Sequence, residues 1–327
     1  MTISRRTLLA TLGALPAAAL LPRQAFAAYP DRPIHLIVPF SAGGNADIVG
    51  RLVGNEIGKA VGQTVVVENR GGAGGGVGAA AVAKSAPDGY TLLVGSNGPL
   101  TINPLVHANL GYDPEKDFTA VALTSYVPHA LILANNTPAK TIAEFVALSK
   151  KTPMNIGTSG VGSASHMTLE RFKAASGANI THVPYRGGGA MMPDLISGTV
   201  NGAITEFSTA LQLHKGGKAH IIAVAAIKRS KLAPEIATFI EGGVKDFLAQ
   251  SYIGIVAPSK TPAAIVAQLQ KAVEAGLKSG PTPERLISLG AEVATPEQMT
   301  SAGFAAFIKD DFAKMKEAAK LAGITPT

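Results

Sequence analysis

The chain contains no cysteine and no tryptophan, and only 5% of its 327 residues are aromatic. Without cysteine there can be no disulfide, no thiolate metal ligand and no thiol nucleophile; such a composition suits an oxidising compartment, where a free thiol is a liability. Charge is sparse as well, with 16% of residues charged against 46% hydrophobic. That balance belongs to a globular chain and not to a disordered one, and the length predicts two lobes where a shorter chain would make one. The formal charge of +7 shrinks on inspection. Arg5, Arg6 and Arg23 lie in an acid-free leader, and without them the 29 Lys and Arg become 26, against 22 Asp and Glu, a formal +4. Charge this weak and scattered offers nucleic acid no basic stripe, so no nucleic-acid partner is expected. Past the N-terminus no apolar run reaches the ~20 residues that a spanning helix needs.

Enzyme motifs are missing too. There is no Gly-x-Ser-x-Gly elbow, no Walker A loop and no His-Glu-x-x-His helix. Gly76-Val77-Gly78 and Gly160-Val161-Gly162 resemble dinucleotide turns only faintly, and neither unit ends its next strand in an acid for a ribose hydroxyl. The seven histidines form no close ligand-like pair. No catalytic residue, metal or cofactor is therefore expected.

The N-terminus carries an address. Ser4-Arg5-Arg6-Thr7-Leu8-Leu9 leads into an apolar run to Leu21 and then Ala25-Phe26-Ala27. These are the charged, apolar and small-residue parts of a secretory signal, so residues 1–27 are expected to be a leader cut after Ala27. The arginine pair and the Ala- and Gly-diluted apolar stretch favour the twin-arginine route over Sec. Pro16 breaks the run and argues against a retained anchor.

Beyond the leader, β-branched runs alternate with helical periodicity. Ile34–Val38, Thr64–Val67 and Tyr90–Val94 read as buried strands, with helices at Ile48–Val61 and Gly78–Lys84 between them. The alternation repeats at Met154–Gly157, Ile180–Val183, Gly202–Thr205 and His220–Ala226, with helices around Met167–Ser176, Ala190–Ser197 and Thr209–Lys215. This order predicts an α/β fold of parallel sheets with helices on both faces. Ala120–Ala134 and Ser251–Pro258 are long and apolar enough to cross between lobes, and Pro262–Lys278 and Pro296–Ala322 close the chain as helices.

Three strand-to-helix turns are built alike: Pro39 to Asp47, through Phe40-Ser41-Ala42-Gly43-Gly44; Thr158 to His166; and Pro184 to Gly189. Each puts glycines and small hydroxyls where a helix starts, so that free backbone N–H groups and the positive helix end face an anion. Any one is an ordinary βα turn; three from both halves point to a cleft between lobes. Asp47 is as well suited to orienting its turn as to touching a ligand, and Arg186 as well suited to solvent as to a carboxylate. For His166 a structural role is the better reading.

An ordered set of motifs runs through these segments. It comprises Tyr29-Pro30-Asp31-Arg32-Pro33-Ile34, Val38-Pro39-Phe40 with Gly43-Gly44 and Asp47, and Val65-Val66-Val67-Glu68-Asn69-Arg70 with Gly71 to Gly75. Then come Ala86-Pro87-Asp88-Gly89-Tyr90-Thr91-Leu92, Ile102-Asn103-Pro104, Gly162-Ser163-Ala164-Ser165-His166 and His182-Val183-Pro184-Tyr185-Arg186-Gly187. Leu195-Ile196-Ser197-Gly198, Lys228-Arg229-Ser230 and Val256-Ala257-Pro258 complete it. In this the chain resembles the tripartite tricarboxylate transporter receptors, also called Bug receptors. The resemblance implies a two-lobed periplasmic-binding-protein type II (Venus flytrap) fold, a periplasmic location and a cleft holding a small organic carboxylate. Carried over by position, its contacts fall on Phe40, Ala42, Gly43 and Asp47, on Ser96, and on Ser159, Gly160, Val161, Gly162 and Ser163 with His166. Ser41, Gly44 and Arg186 join these as candidates from the same turns, and Asn97, Thr205 and Glu206 from segments where the chain departs from the family pattern. Ile204-Thr205-Glu206 departs from the family's Phe-Asp-Asn, Tyr252 stands where Trp is frequent, and Asn97-Gly98-Pro99 makes the Ser96 turn unusual.

Lobe 1 is expected to comprise residues 28–129 with 252–327, and lobe 2 residues 130–251. The expected function is carboxylate capture by a monomer that serves a membrane transporter of one large and one small subunit. The alternatives are a receptor that reports to a signalling partner and an exported enzyme using the same cleft.

Overall fold

The computed structural model describes residues 29–326; the expected leader and its cleavage point lie outside them. In chain order the elements are β1 (Ile34–Val38), α1 (Asn45–Val61), β2 (Val65–Asn69), α2 (Gly76–Ala83), β3 (Thr91–Ser96), α3 (Asn103–Val106), β4 (Phe118–Ala134), α4 (Ile142–Lys151), β5 (Met154–Thr158) and α5 (Ala164–Ser176). The chain continues with β6 (Ile180–Pro184), α6 (Gly188–Ser197), β7 (Gly202–Glu206), α7 (Phe207–Lys215), β8 (Ala219–Val224), β9 (Gln250–Pro258), α8 (Ala263–Lys278), α9 (Pro281–Ser288), β10 (Glu292–Val293) and α10 (Ser301–Leu321).

The strands lie in the order β2-β1-β3-β9-β4-β7-β5-β6, with β8 and β10 also paired to β4. β1, β2 and β3 run parallel, as do β5, β6 and β7. Their β-branched runs are shielded on both sides by helices, as parallel sheets require. α1 buries Val49, Val53 and Ile57 against β1 and β3 and stops at Gly62, whose left-handed backbone (φ 71°) lets its N–H bond back to Gly58.

Two strands join the halves. β9 runs antiparallel to β3 and to residues 118–128 of β4, while residues 129–133 of β4 pair with β7 and residues 130–134 with β8. One 17-residue strand therefore belongs to both halves of the sheet. Its register shifts at Ala120/Ala122 and Leu123/Ser125 against β9, and at Leu131/Ile132 against β8. Such irregularities bend a strand and sharpen its twist, which turns the two halves to face each other.

One core packs α1, α8 and α10 on the β1–β3–β9 side. A second gathers Phe145, Phe172, Phe239 and Phe247 with Ile156 and Leu133 around β5. A third small cluster ties α10 across to α5 through Ala319, Met167, Ile102 and Val106. Among the described residues no helix is long and apolar enough to cross a membrane.

Candidate functional site

The βα turns converge on one cavity between the halves. It is lined by Phe40, Gly44, Asn45 and Ala46 from the start of α1, and by Ser96 and Gly98 from the end of β3. From the other half come Ser159, Ser163, Ala164 and Ser165 at the start of α5, Gly188 at the start of α6 and Glu206 ahead of α7. Ser251 and Ile253 of β9 form the floor. The space between these atoms is about 390 Å³, and about 20 Å³ of it is open to the centre of a water molecule, enough for roughly one water.

First-turn amides have no acceptor within their own helix, and Asn45, Ala46, Ala164, Ser165 and Gly188, all in first turns, line the cavity. The residues that precede α1 and α6, Gly44 and Gly187, have no side chain with which to cap them. At α5 the Ser163 hydroxyl accepts from the His166 amide, at 3.2 Å. The Ser96 hydroxyl is buried and has no hydrogen-bond partner. Unmade hydrogen bonds on buried groups cost about 1–3 kcal/mol each, so this hydroxyl favours a ligand that will accept from it.

Other sequence-selected residues sit just behind the lining. Asp47 does not line the cavity: its carboxylate accepts from the Gly43 amide at 3.0 Å and the Asn69 amide group at 3.0 Å, and pairs with Arg51 at 2.9 Å. Burial pushes its pKa up, but the bonds from Arg51, Gly43 and Asn69 outweigh burial and hold it below the usual carboxylate range. His166 accepts from the Gly162 amide at 3.3 Å and stacks on His182 at 4.6 Å, which ties the α5 turn to its own helix. Asn97 accepts from the Tyr252 amide at 3.0 Å and donates to the buried Asp311 of α10 at 3.3 Å. Thr205 donates to Glu206 at 3.1 Å. The Arg186 side chain is exposed.

Ser41, Ala42, Gly43 and Gly160 to Gly162 lie at the mouth, where the two halves touch. Ser41 donates its amide to the Arg186 carbonyl at 2.9 Å, and its hydroxyl accepts from the Ala190 amide at 3.0 Å. Farther in, Ser208 donates to Asn45 at 2.9 Å. Backbone meets backbone elsewhere: a β-carbon on Gly74 would overlap the Val161 carbonyl, and one on Gly189 would overlap the Ala42 carbonyl.

Glu206 closes one wall. Its two oxygens accept from Ser251 and Thr205, each at 3.1 Å. Ser251 is in turn 2.8 Å from Nε2 of His129, whose Nδ1 is 2.6 Å from Thr168. Burial, with the Arg171 charge adding, pushes the His129 imidazole down to about 3. A neutral ring has one N–H. Since Ser251 spends its proton on Glu206, the ring donates from Nε2 to Ser251, and its Nδ1 faces the Thr168 hydroxyl, which itself donates to the Ala164 carbonyl at 2.9 Å. Among the lining residues, sequence reading passed over Asn45, Ala46, Gly98, Ala164, Ser165, Gly188, Ser251 and Ile253. All but the last two lie in turns that it singled out; Ser251 and Ile253 reach the cavity only through strand pairing. Among the described residues no cluster of three or more His, Asp or Glu is placed to hold a metal ion.

Comparison with known proteins accounts for this architecture. Residues 49–324 match the tripartite tricarboxylate transporter family receptor. A UPF0065 protein from the TAR-I ttuE-ttuC' intergenic region of Agrobacterium vitis is 37% identical over 302 residues, covering 92% of this chain and 87% of that protein. The solved periplasmic binding protein BugD superposes with a TM-score of 0.88 at 34% identity, over 91% of this chain and 100% of that one. R. palustris Rpa4515, solved with adipate, gives 0.87 at 33% identity over 91% and 100%. With its two-lobed α/β fold and a cavity walled by helix starts from both halves, the chain belongs to the tripartite tricarboxylate transporter receptors.

Proposed function

We propose that the chain captures a small organic carboxylate in this cavity and delivers it, as a monomer in the periplasm, to the subunits of a membrane transporter. Cleavage after Ala27 releases it. Residues 28–129 with 252–327 move as one lobe and residues 130–251 as the other, bending where β4 shifts register; acid in the cavity holds them together. The observation that carries the reading is that Ser96, whose buried hydroxyl has no partner, lines the same cavity as the first-turn residues of α1, α5 and α6. Adipate in the R. palustris neighbour is a ligand of the same chemistry.

Thermal unfolding of the mature protein against aliphatic mono- and dicarboxylates, each paired with its amide, tests this. A bound acid is expected to add roughly 2.7 kcal/mol at about a hundred times its dissociation constant, and its amide nothing. Ser96→Ala is expected to weaken that acid by roughly 10- to 150-fold, the worth of about 1.5–3 kcal/mol for a hydrogen bond to a charged group. It should not lower the melting temperature of the unliganded protein, because it removes a hydroxyl that has no partner there. Amides that bind as well as their acids would refute carboxylate capture.

A further inference from the structure

Glu206 is the only ionisable side chain among the residues that line the cavity. It makes no ion pair among the described residues. An acid beside a helix start is ordinarily a cap, drawn there by the helix dipole. Glu206 does occupy the position before α7, yet its side chain makes no capping bond to that helix. Both oxygens are held instead by Thr205 and Ser251, and Ser251 is oriented from behind by the neutral His129. A β-carbon at Gly188 would lie 3.7 Å from Oε2 of Glu206 and 3.8 Å from the Ser159 hydroxyl, so this oxygen stands at the cavity wall beside the α6 start. Charges that line a protein cavity are ordinarily paired, and among the described residues the lining includes no Lys, Arg or His.

The cavity thus has two ends of opposite character. Ser96 pairs with Ile253 in the β3–β9 register. Ser251, which carries Glu206, lies two residues back on the same face of β9, about 7 Å along the strand. The Ser96 end offers a hydroxyl with no partner of its own, and the Ser251 end offers the Glu206 carboxylate.

We propose that Glu206 selects a ligand bearing a protonated amine a few carbons away from its carboxylate, and disfavours a second carboxylate there. This rests on the proposed function for the Ser96 end only. A dicarboxylate would set two anions side by side with no cationic side chain between them, an arrangement that interfaces use to reject partners.

Titration calorimetry with chain-matched ligands tests it: 4-aminobutyrate, succinate, 4-hydroxybutyrate and butyrate, then 5-aminovalerate and glutarate. The wild-type protein is expected to bind the amino acid of one or both lengths at least roughly tenfold more tightly than the matched dicarboxylate. Glu206→Gln keeps the shape and removes the charge; it should cost the amino acid roughly tenfold or more and narrow or reverse the preference. The wild-type comparison needs no variant, so it decides even if the substitution unfolds the protein. A dicarboxylate that binds wild type as tightly as its amino acid, no saturable binding by any amine, or a preference unchanged in Glu206→Gln would each overturn the proposal. Including 4-aminobutyramide separates the two readings. If it binds like 4-aminobutyrate and still depends on Glu206, carboxylate capture at the Ser96 end fails while amine selection stands.

Discussion

Replacing Gly189 with alanine is expected to lower affinity for the captured acid by roughly 5- to 150-fold, without lowering the melting temperature of the unliganded protein. Gly189 is the second residue of α6. Alanine is favoured over glycine inside a helix by about 0.5–1 kcal/mol, so the lobe carrying α6 loses nothing by the change. The cost arises only where the lobes meet. The new methyl would overlap the Ala42 carbonyl oxygen, with the Ala42 carbonyl carbon at 2.9 Å and the Gly44 amide nitrogen at 3.1 Å. All are backbone atoms, and none can rotate away. Relief requires the β6–α6 turn to back off from the β1–α1 turn, which loosens the Ser41–Arg186 and Ser41–Ala190 hydrogen bonds. Overpacking of this kind costs about 1–3 kcal/mol, and a penalty confined to the closed form appears as a loss of affinity of the size given. Calorimetry of both proteins with the same acid measures the loss, and solution scattering at saturation reports whether the lobes close. Wild-type affinity together with wild-type compaction would show that these turns need not touch for capture.

The second large effect concerns Asp311, a buried carboxylate on α10 with no cation bonded to it. Burial pushes it up from 3.8 to about 6, against the opposing hydrogen bonds from Thr101 at 2.6 Å and Asn97 at 3.3 Å. Between those two values the folded protein keeps a proton that the unfolded chain has released. The stability from the protonated form is therefore complete below the ordinary carboxylate range. It is lost as pH rises through about 6 and does not return at higher pH. The loss amounts to about 3 kcal/mol. Asp311→Asn keeps an acceptor for Thr101 and cannot ionise. It is expected to match wild type near pH 4 and to exceed it by up to about 3 kcal/mol at pH 7. Urea unfolding of both proteins from pH 4 to 8 gives the difference curve. A difference that stays constant with pH would assign the titration elsewhere.

Much of the fold was legible because local pattern and tertiary role agree. Ile34–Val38 was read as a strand on its β-branched run, and three of its five side chains at the C-terminal end are fully buried in succession. The glycine turns located four of the lining residues, Phe40, Gly44, Ser159 and Ser163, because a helix that starts near a ligand needs small residues there; Ser96 and Glu206 came from the family resemblance. The misses are of two kinds. Helix starts were set by side-chain caps: α5 was read from about Met167 but begins at Ala164, where Ser163 caps it, and α10 was read from Pro296 but begins at Ser301, capped by Thr300. α4, capped by Thr141, was passed over. The other misses depend on distant pairing. Ser251 and Ile253 reach the cavity because β9 settles against β3 and β4 in one register, and nothing local specifies that register. Asp311 reads as a solvent-facing charge on an amphipathic helix until the 97–101 turn packs over it.

The strand order also dictates a timetable. As the chain leaves the ribosome, β1, β2 and β3 appear first, yet the strand that must lie between β3 and β4 is β9, which starts at Gln250. The β5–β7 unit, with β8 and the distal part of β4, is complete by Val224. The portion of the sheet that is begun first is therefore finished last. From Ser96 until β9 emerges at Gln250 to Pro258, β3 presents an apolar edge with no neighbour on one side, the sort of surface on which partly folded chains aggregate. A protein so threaded has reason to be shielded until its C-terminal third has emerged.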